Sequence, residues 1–137
     1  MVERTFMMIK PDGVSRGKIG EIIQRIGHKG YAIKAMKMVQ PTPELLAKHY
    51  AEHVGKSFYP SLVQYMTLGP VIAMIGEGTN IVSGWRTIMG TTNPTLAAPG
   101  TIRGDLGREW EGEAVMNIVH GSDSVEAAEY EIKLWFA

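Results

Sequence analysis

Thr5-Phe6-Met7-Met8-Ile9 carries no charge and stops at Lys10-Pro11-Asp12-Gly13, and how this stretch is read sets the fold. Glu3 to Ile9 is predicted as a buried strand ending in a turn, because β-branched and apolar residues favour extended chain and Pro-Asp-Gly interrupts it. Moving outward, Lys18 to Lys29 has Ile19, Ile22, Ile23 and Ile26 at helical spacing, with Gly30 where a helix would end. Tyr31 to Val39 sets Tyr31, Ile33 and Ala35 against Lys34 and Lys37, which predicts a second strand. Thr42-Pro43-Glu44 offers a hydroxyl N-cap followed by proline at the first helical position, so a helix is expected from there to about His53. Gly55 breaks it, and Tyr59 to Thr67 is expected as a second short helix ending at Gly69-Pro70. Val71 to Ile75 follows as a short apolar strand, and Asn80 to Met89 as a helix carrying Arg86. Residues 90–113 are rich in Gly, Pro and Thr, which implies a long loop with one short helical turn, and a loop of that length is usually functional. Val115 to Val119 is expected as the last strand and Ser124 to about Trp135 as a final amphipathic helix.

This order predicts an α+β fold, a ferredoxin-like sandwich whose four-stranded antiparallel sheet is covered by helices, in a single domain spanning 1–137. A chain of 137 residues with 45% hydrophobic and 20% charged residues is ordinary for a globular protein and needs no disulfide or metal staple. The absence of cysteine excludes a disulfide framework, a thiolate nucleophile and Cys-ligated metals, and is compatible with a reducing, cytoplasmic setting. No secretory signal and no membrane-length apolar run is evident. Lys+Arg and Asp+Glu are both 14, so the basic excess of a nucleic-acid-binding domain is missing, while a local cationic pocket for a small anion is still allowed.

Glycine loops for phosphate do not survive inspection. Gly13 to Ile19 lies between strand and helix, but it is one residue short of a P-loop between the glycines and lacks the hydroxyl after Lys18. Gly55-Lys56-Ser57 has Tyr50 where the upstream glycine belongs, and Gly76-Glu77-Gly78 has Ile81 where a dinucleotide loop needs its third glycine. Phosphate binding would therefore fall to side chains.

Asn117-Ile118-Val119-His120-Gly121-Ser122-Asp123-Ser124 is the most informative stretch for chemistry. It puts His120 at a strand end, before a glycine expected to turn the chain sharply, and before residues able to cap a helix. Asp123 with Glu126 has the spacing of a capping box. A neutral imidazole is nucleophilic without special activation, and with an ordinary pKa near 6.5 roughly three-quarters of it is unprotonated at pH 7. Glu131, on the last helix, is a candidate to hold one ring nitrogen protonated and so expose the other. The competing reading is a partly buried structural histidine.

Arg86, Thr92 in Gly90-Thr91-Thr92-Asn93-Pro94, and Arg103 in Pro99-Gly100-Thr101-Ile102-Arg103-Gly104-Asp105 supply forked cations and a hydroxyl that suit phosphate oxygens. Taken singly, each arginine reads as a solvated surface charge. Together with a magnesium ion they could offset much of a triphosphate's charge. Lys10 alone reads as a turn lysine. Phe58 is either core or a base-stacking ring. Tyr50 and His53 follow on the preceding helix, while His28 and His49 are read as structural.

These segments in collinear order resemble the nucleoside diphosphate kinase family. The resemblance rests on Arg4-Thr5-Phe6 leading to Ile9-Lys10-Pro11-Asp12-Gly13, Gly69-Pro70-Val71, Asn93-Pro94, Pro99 to Asp105, Asn117-x-x-His120-Gly121-Ser122-Asp123 and Glu131-Ile132-Lys133-Leu134-Trp135-Phe136. It implies ping-pong exchange of the γ-phosphate between nucleoside tri- and diphosphates with Mg2+, through a phosphohistidine at His120. Glu131 and Ser122 match the residues that orient that histidine, and Tyr50 a residue beside it. Arg86, Thr92, Arg103 and His53 match phosphate contacts, Phe58 and Leu62 the base slot, and Lys10 and Asn117 the sugar-hydroxyl ligands. A homo-oligomer built from dimers, commonly a hexamer, is also implied. Two departures bear on subunit geometry: the 107–113 segment is longer and more acidic, with Val115-Met116-Asn117 replacing the usual Gly-Arg-Asn, and the sequence stops at Ala137 where many members continue. Rival readings are a non-catalytic nucleotide-binding regulator on the same fold, a nucleic-acid-binding module and a phosphocarrier histidine protein.

Overall fold

The computed structural model describes residues 1–111 and 116–137. Strands β1 (Val2–Ile9), β2 (Ala32–Val39), β3 (Val71–Thr79) and β4 (Val119–Gly121) form one sheet in the order β2-β3-β1-β4, with every neighbouring pair antiparallel. Seven helices accompany them among the described residues: α1 (Pro11–Ser15), α2 (Ile19–Lys29), α3 (Pro43–His49), α4 (Tyr59–Met66), α5 (Ile81–Met89), α6 (Ile102–Leu106) and α7 (Val125–Phe136). This is the expected ferredoxin-like α+β sandwich.

β1 is central because it is apolar on both sides. Met7 and Ile9 point into a core built with Ile22, Ile26, Ile81, Trp85 and Met89 of α2 and α5, and Phe6 and Met8 into a second core with Leu46, Tyr65, Ile132 and Trp135 of α3, α4 and α7. A strand buried on both faces needs a continuous apolar run rather than alternation, which is the pattern of Phe6 to Ile9. β2, at the sheet edge, keeps Met36 and Met38 exposed.

Local signals act largely as expected. Gly30 closes α2 in the left-handed region at φ 96°. Thr42 caps α3 by accepting from the Leu45 amide at 3.1 Å, with Pro43 in the first turn. Thr42→Ala is expected to cost about 1 kcal/mol of stability, measurable by urea unfolding, with no effect on nucleotide binding.

Several expectations need correction. Pro11-Asp12-Gly13 is the first turn of α1, since proline at N1 and an acidic first turn start a helix as readily as they make a turn. α3 stops at His49 rather than near His53, and a 3₁₀ turn at Ala51–His53 follows. β3 runs on through Gly76-Glu77-Gly78 to Thr79, paired with Val2 to Thr5 of β1, and a Cβ at Gly76 would lie 2.6 Å from Met7 Cε and one at Gly78 2.6 Å from Tyr31 Cδ1. These glycines are packing requirements inside a strand. The last strand is 119–121, not 115–119; residue 115 and residues 112–113 of the longer segment lie outside the described residues. Ser124, not Asp123, caps α7, accepting from the Ala127 amide at 3.0 Å, so the Asp123–Glu126 box does not form.

Candidate active site

His120 occupies the middle of β4, opposite Met8 in the register with β1. Strand alternation therefore sends its ring to the face of Phe6, Met8 and α7, while Gly121 faces Trp85 and Met89. A Cβ on Gly121 would sit 2.5 Å from Trp85 Cδ1, so glycine there answers a close approach; the sharp turn expected of it lies at Ile118 instead. Ile118 adopts φ 71°, and the Val119 amide donates to the Asn117 carbonyl at 2.7 Å, which makes a γ-turn immediately before the histidine. A β-branched residue at positive φ is strained. Its carbonyl is held by the Lys10 amide at 2.6 Å.

The His120 Nε2 lies 2.9 Å from Glu131 Oε1, and that same oxygen accepts from Ser122 Oγ at 2.7 Å. A carboxylate only accepts, so Nε2 donates its proton and Nδ1 is left with a free lone pair. Burial, reinforced by Lys10, Arg103 and Arg86, holds the His120 pKa down at about 3, and the ring is neutral at any physiological pH. Its side chain is 18% exposed and opens onto a pocket of about 230 Å³. Burial also raises the Glu131 pKa, against the opposing pull of His49 and Ser122.

Around the pocket stand Lys10, Tyr50, His53, Arg86, Thr92, Arg103, Asn117, His120 and Glu131, all singled out in the sequence. Lys10 Nζ donates to Asn117 Oδ1 at 2.7 Å, and Asn117 Nδ2 donates to the Thr92 carbonyl at 3.1 Å, which ties the end of β1 to the 90–101 loop. Burial, then Arg103, lowers the Lys10 amine to about 7, with Asp12 pulling the other way. Arg103 is buried and donates from Nε to the Asn117 carbonyl (3.1 Å), from Nη1 to Gly90 (3.0 Å) and from Nη2 to Val119 (2.7 Å). It is therefore a brace as well as a cation on the pocket wall. Arg86 is exposed, with a long contact of 3.5 Å to the Gly121 carbonyl, and its guanidinium is available to a ligand. Burial raises the Tyr50 phenol's pKa, and its hydroxyl has no partner among the described residues.

Three expected site residues stand off the pocket lining. Ser122 is buried behind Glu131. Phe58 is 47% exposed just outside, its ring 5.4 Å from His53. Leu62, one turn along α4, packs on the second core.

The family profile described as nucleoside diphosphate kinase matches residues 3–137. The chain belongs to the nucleoside diphosphate kinase family. A nucleoside diphosphate kinase of Moorella thermoacetica is 53% identical over 98% of this chain and 94% of its own length. One from Saccharomyces cerevisiae is 52% identical over 98% and 85%. Among solved structures, a halophilic nucleoside diphosphate kinase of Halobacterium salinarum in complex with CDP superposes with a TM-score of 0.93 at 46% identity, covering 99% of this chain and 88% of that one. The apo enzyme of Encephalitozoon cuniculi gives 0.91 at 47% identity, covering 97% and 88%.

Nucleoside diphosphate kinases are phosphotransferases, and nucleotide kinases generally work with a divalent metal. Magnesium prefers oxygen ligands and usually sits on substrate phosphates with one or two carboxylates. The pocket fits that mode, since Glu52 and Asp123 stand on its lining. The His49, His120 and Glu131 cluster is too rich in nitrogen for such an ion.

Residue pattern alone does not show the contacts of His49, Asp12 and Tyr65 around the site. Tyr65 Oη donates to Asp12 Oδ1 beneath Lys10, and Lys10 Nζ lies 5.8 Å from the Tyr65 ring centroid. His49, which has no evident partner in the sequence, accepts from Trp135 Nε1 at 3.0 Å, and its ring meets that of His120 at 4.7 Å. Helical spacing gave no hint of these pairings, because the partners come from separate elements.

Proposed function

We propose that this domain, residues 1–137, transfers the γ-phosphate of a nucleoside triphosphate to a nucleoside diphosphate through a phosphohistidine on His120 Nδ1. The observation that carries the reading is the hydrogen bond from His120 Nε2 to Glu131 in a pocket that also holds Lys10, Arg86 and Arg103. In the first half-reaction the Nδ1 lone pair attacks the γ-phosphorus, the bond to the β–γ bridging oxygen breaks, and the diphosphate leaves with that electron pair. In the second, a terminal oxygen of the incoming diphosphate attacks the same phosphorus and the P–N bond breaks. Nε2 keeps its proton throughout, held by Glu131, which Ser122 orients, with Tyr50 beside the ring. Arg86, Arg103, Thr92 and His53 bind phosphate oxygens, and Glu52 and Asp123 on the lining would help hold Mg2+, which would supply further charge neutralisation. Phosphoryl transfer depends mainly on such positioning and electrostatics.

Phe58 and Leu62 form the base slot, and Lys10 and Asn117 bind the sugar hydroxyls. Stacking and sugar contacts read no base edge, so broad base tolerance follows. Phe58→Ala is expected to weaken ADP and CDP binding alike, on the order of tenfold, with kcat little changed. Isothermal titration with both nucleotides checks this, and loss of one but not the other would contradict the stacking role.

A homo-oligomer built from dimers, up to a hexamer, belongs to the same proposal; the exposed Met36 and Met38 on edge strand β2 support it. So does a cytoplasmic site of action, where nucleotide substrates are plentiful. Among the described residues no helix is long and apolar enough to cross a membrane.

Incubation with γ-labelled ATP is the direct test. Acid-labile, base-stable label, discharged by any added nucleoside diphosphate, is the expected result. A protein that binds nucleotide yet takes no label would favour the regulatory rival.

A further inference from the structure

We infer that His49 is a positioning residue for the transfer: held by Trp135, it leans on the His120 ring and sets the twist that aims Nδ1. The inference rests on the proposal that His120 carries the phosphoryl group.

In the His120 ring, Nε2 lies nearer the extension of the Cβ–Cγ axis than Nδ1 does. The bond from Nε2 to Glu131 narrows rotation about Cβ–Cγ without stopping it, and the rotation that remains swings Nδ1 through the wider arc. Torsions of this terminal kind are intrinsically broad. A second contact, on the ring itself, is needed to fix the direction of attack.

His49 is placed to make that contact. Its ring centroid is 4.7 Å from that of His120 at an interplanar angle of 67°, nearer than the ring of Phe6 at 5.9 Å. His49 is itself immobilised. It is buried at the end of α3, crosses Tyr50 at 86° and Trp135 at 85°, and accepts the Trp135 indole proton on Nδ1. With Nδ1 committed as acceptor, the proton sits on Nε2. Burial and the neighbouring His120 keep the ring uncharged.

Both supports of the His120 ring thus trace to one helix. Glu131 and Trp135 are four residues apart on α7, one turn along the same face. Glu131 grips the ring at Nε2, and Trp135 reaches it through His49. A buried histidine that served only to satisfy the Trp135 proton would not need to lie against the reactive ring.

The test separates ring packing from hydrogen bonding. His49→Asn keeps an acceptor for Trp135 but removes the ring from His120. The double variant His49→Phe with Trp135→Phe restores a ring at position 49 and strands no indole proton. The rate of single-turnover labelling by γ-labelled ATP is expected to fall on the order of 10- to 100-fold in His49→Asn, with ADP affinity within about twofold of the parent. The double variant is expected to recover most of that loss. Labelling of His49→Asn at the parent rate would overturn the inference, as would a double variant that binds ADP yet labels as slowly as His49→Asn. Failure of the underlying proposal shows differently: the parent chain itself would take no acid-labile label.

Discussion

His120→Ala is expected to abolish phosphate exchange, by at least about 10⁴-fold in kcat, while ADP still binds with near-parental affinity. The expectation follows from what the side chain touches. In the proposed transfer the uncharged imidazole is the nucleophile, and its loss leaves Arg86, Arg103, Lys10 and Phe58 in place to hold a nucleotide. The substitution costs little in folding, because the ring opens to the pocket and the strand bonds of β4 use only backbone. Glu131 and Ser122 keep each other as partners. Exchange assays beside calorimetric titration with ADP check both halves. Retained turnover would remove His120 from the mechanism, and lost binding would mean that the ring braces the pocket rather than reacting in it.

Arg103→Ala is expected to damage stability and activity together. Three carbonyls, from Gly90 at the start of the 90–101 loop, Asn117 at the γ-turn and Val119 in β4, converge on this one guanidinium. Removing it takes that donor from the Gly90 and Val119 carbonyls in a largely buried place, while the Asn117 carbonyl keeps only the Val119 amide. Hydrogen bonds to a charged donor are worth about 1.5–3 kcal/mol each and do not add in full, so a loss of about 3–5 kcal/mol is expected. The same change withdraws a cation from the phosphate wall, and labelling from γ-labelled ATP should slow by more than about 10²-fold. Burial and nearby Arg86 draw its pKa down only to about 10, so the group is charged at neutral pH. Arg103→Lys should recover little, since an ammonium cannot reach three divergent acceptors with planar geometry. Urea unfolding is the check on the first effect: a variant with the parent's midpoint would show that the carbonyls find other donors.

Much of this architecture was legible in residue pattern alone. The apolar run Phe6 to Ile9 announced a buried strand, Gly30 marked the end of α2, and Thr42-Pro43 the start of α3. Each is a local rule with a local cause. What resisted reading was set by contacts distant in sequence. Gly76 and Gly78 resemble turn glycines until Met7 and Tyr31 arrive against them. The position of β4 depends on three pairings with β1, and the apolar residue before it, Ile118, is spent in a strained turn instead. His49 showed no purpose until α7 brought Trp135 and β4 brought His120 to either side of it. For the site, the Asn117 to Asp123 stretch and the loop arginines were recognisable by type, whereas the double duty of Arg103 and the Asp12–Tyr65 support under Lys10 required the folded chain.

The pairing of Met8 with His120 spans a strand of only three residues. Sheets obey parity: a slide of one position exchanges inside for outside. Were β4 to move by a single residue along β1, Gly121 would take the place beside Phe6 and the imidazole would be driven into Trp85, on the wrong side of the molecule. Whatever pins that short ladder therefore decides whether the protein has a nucleophile at all.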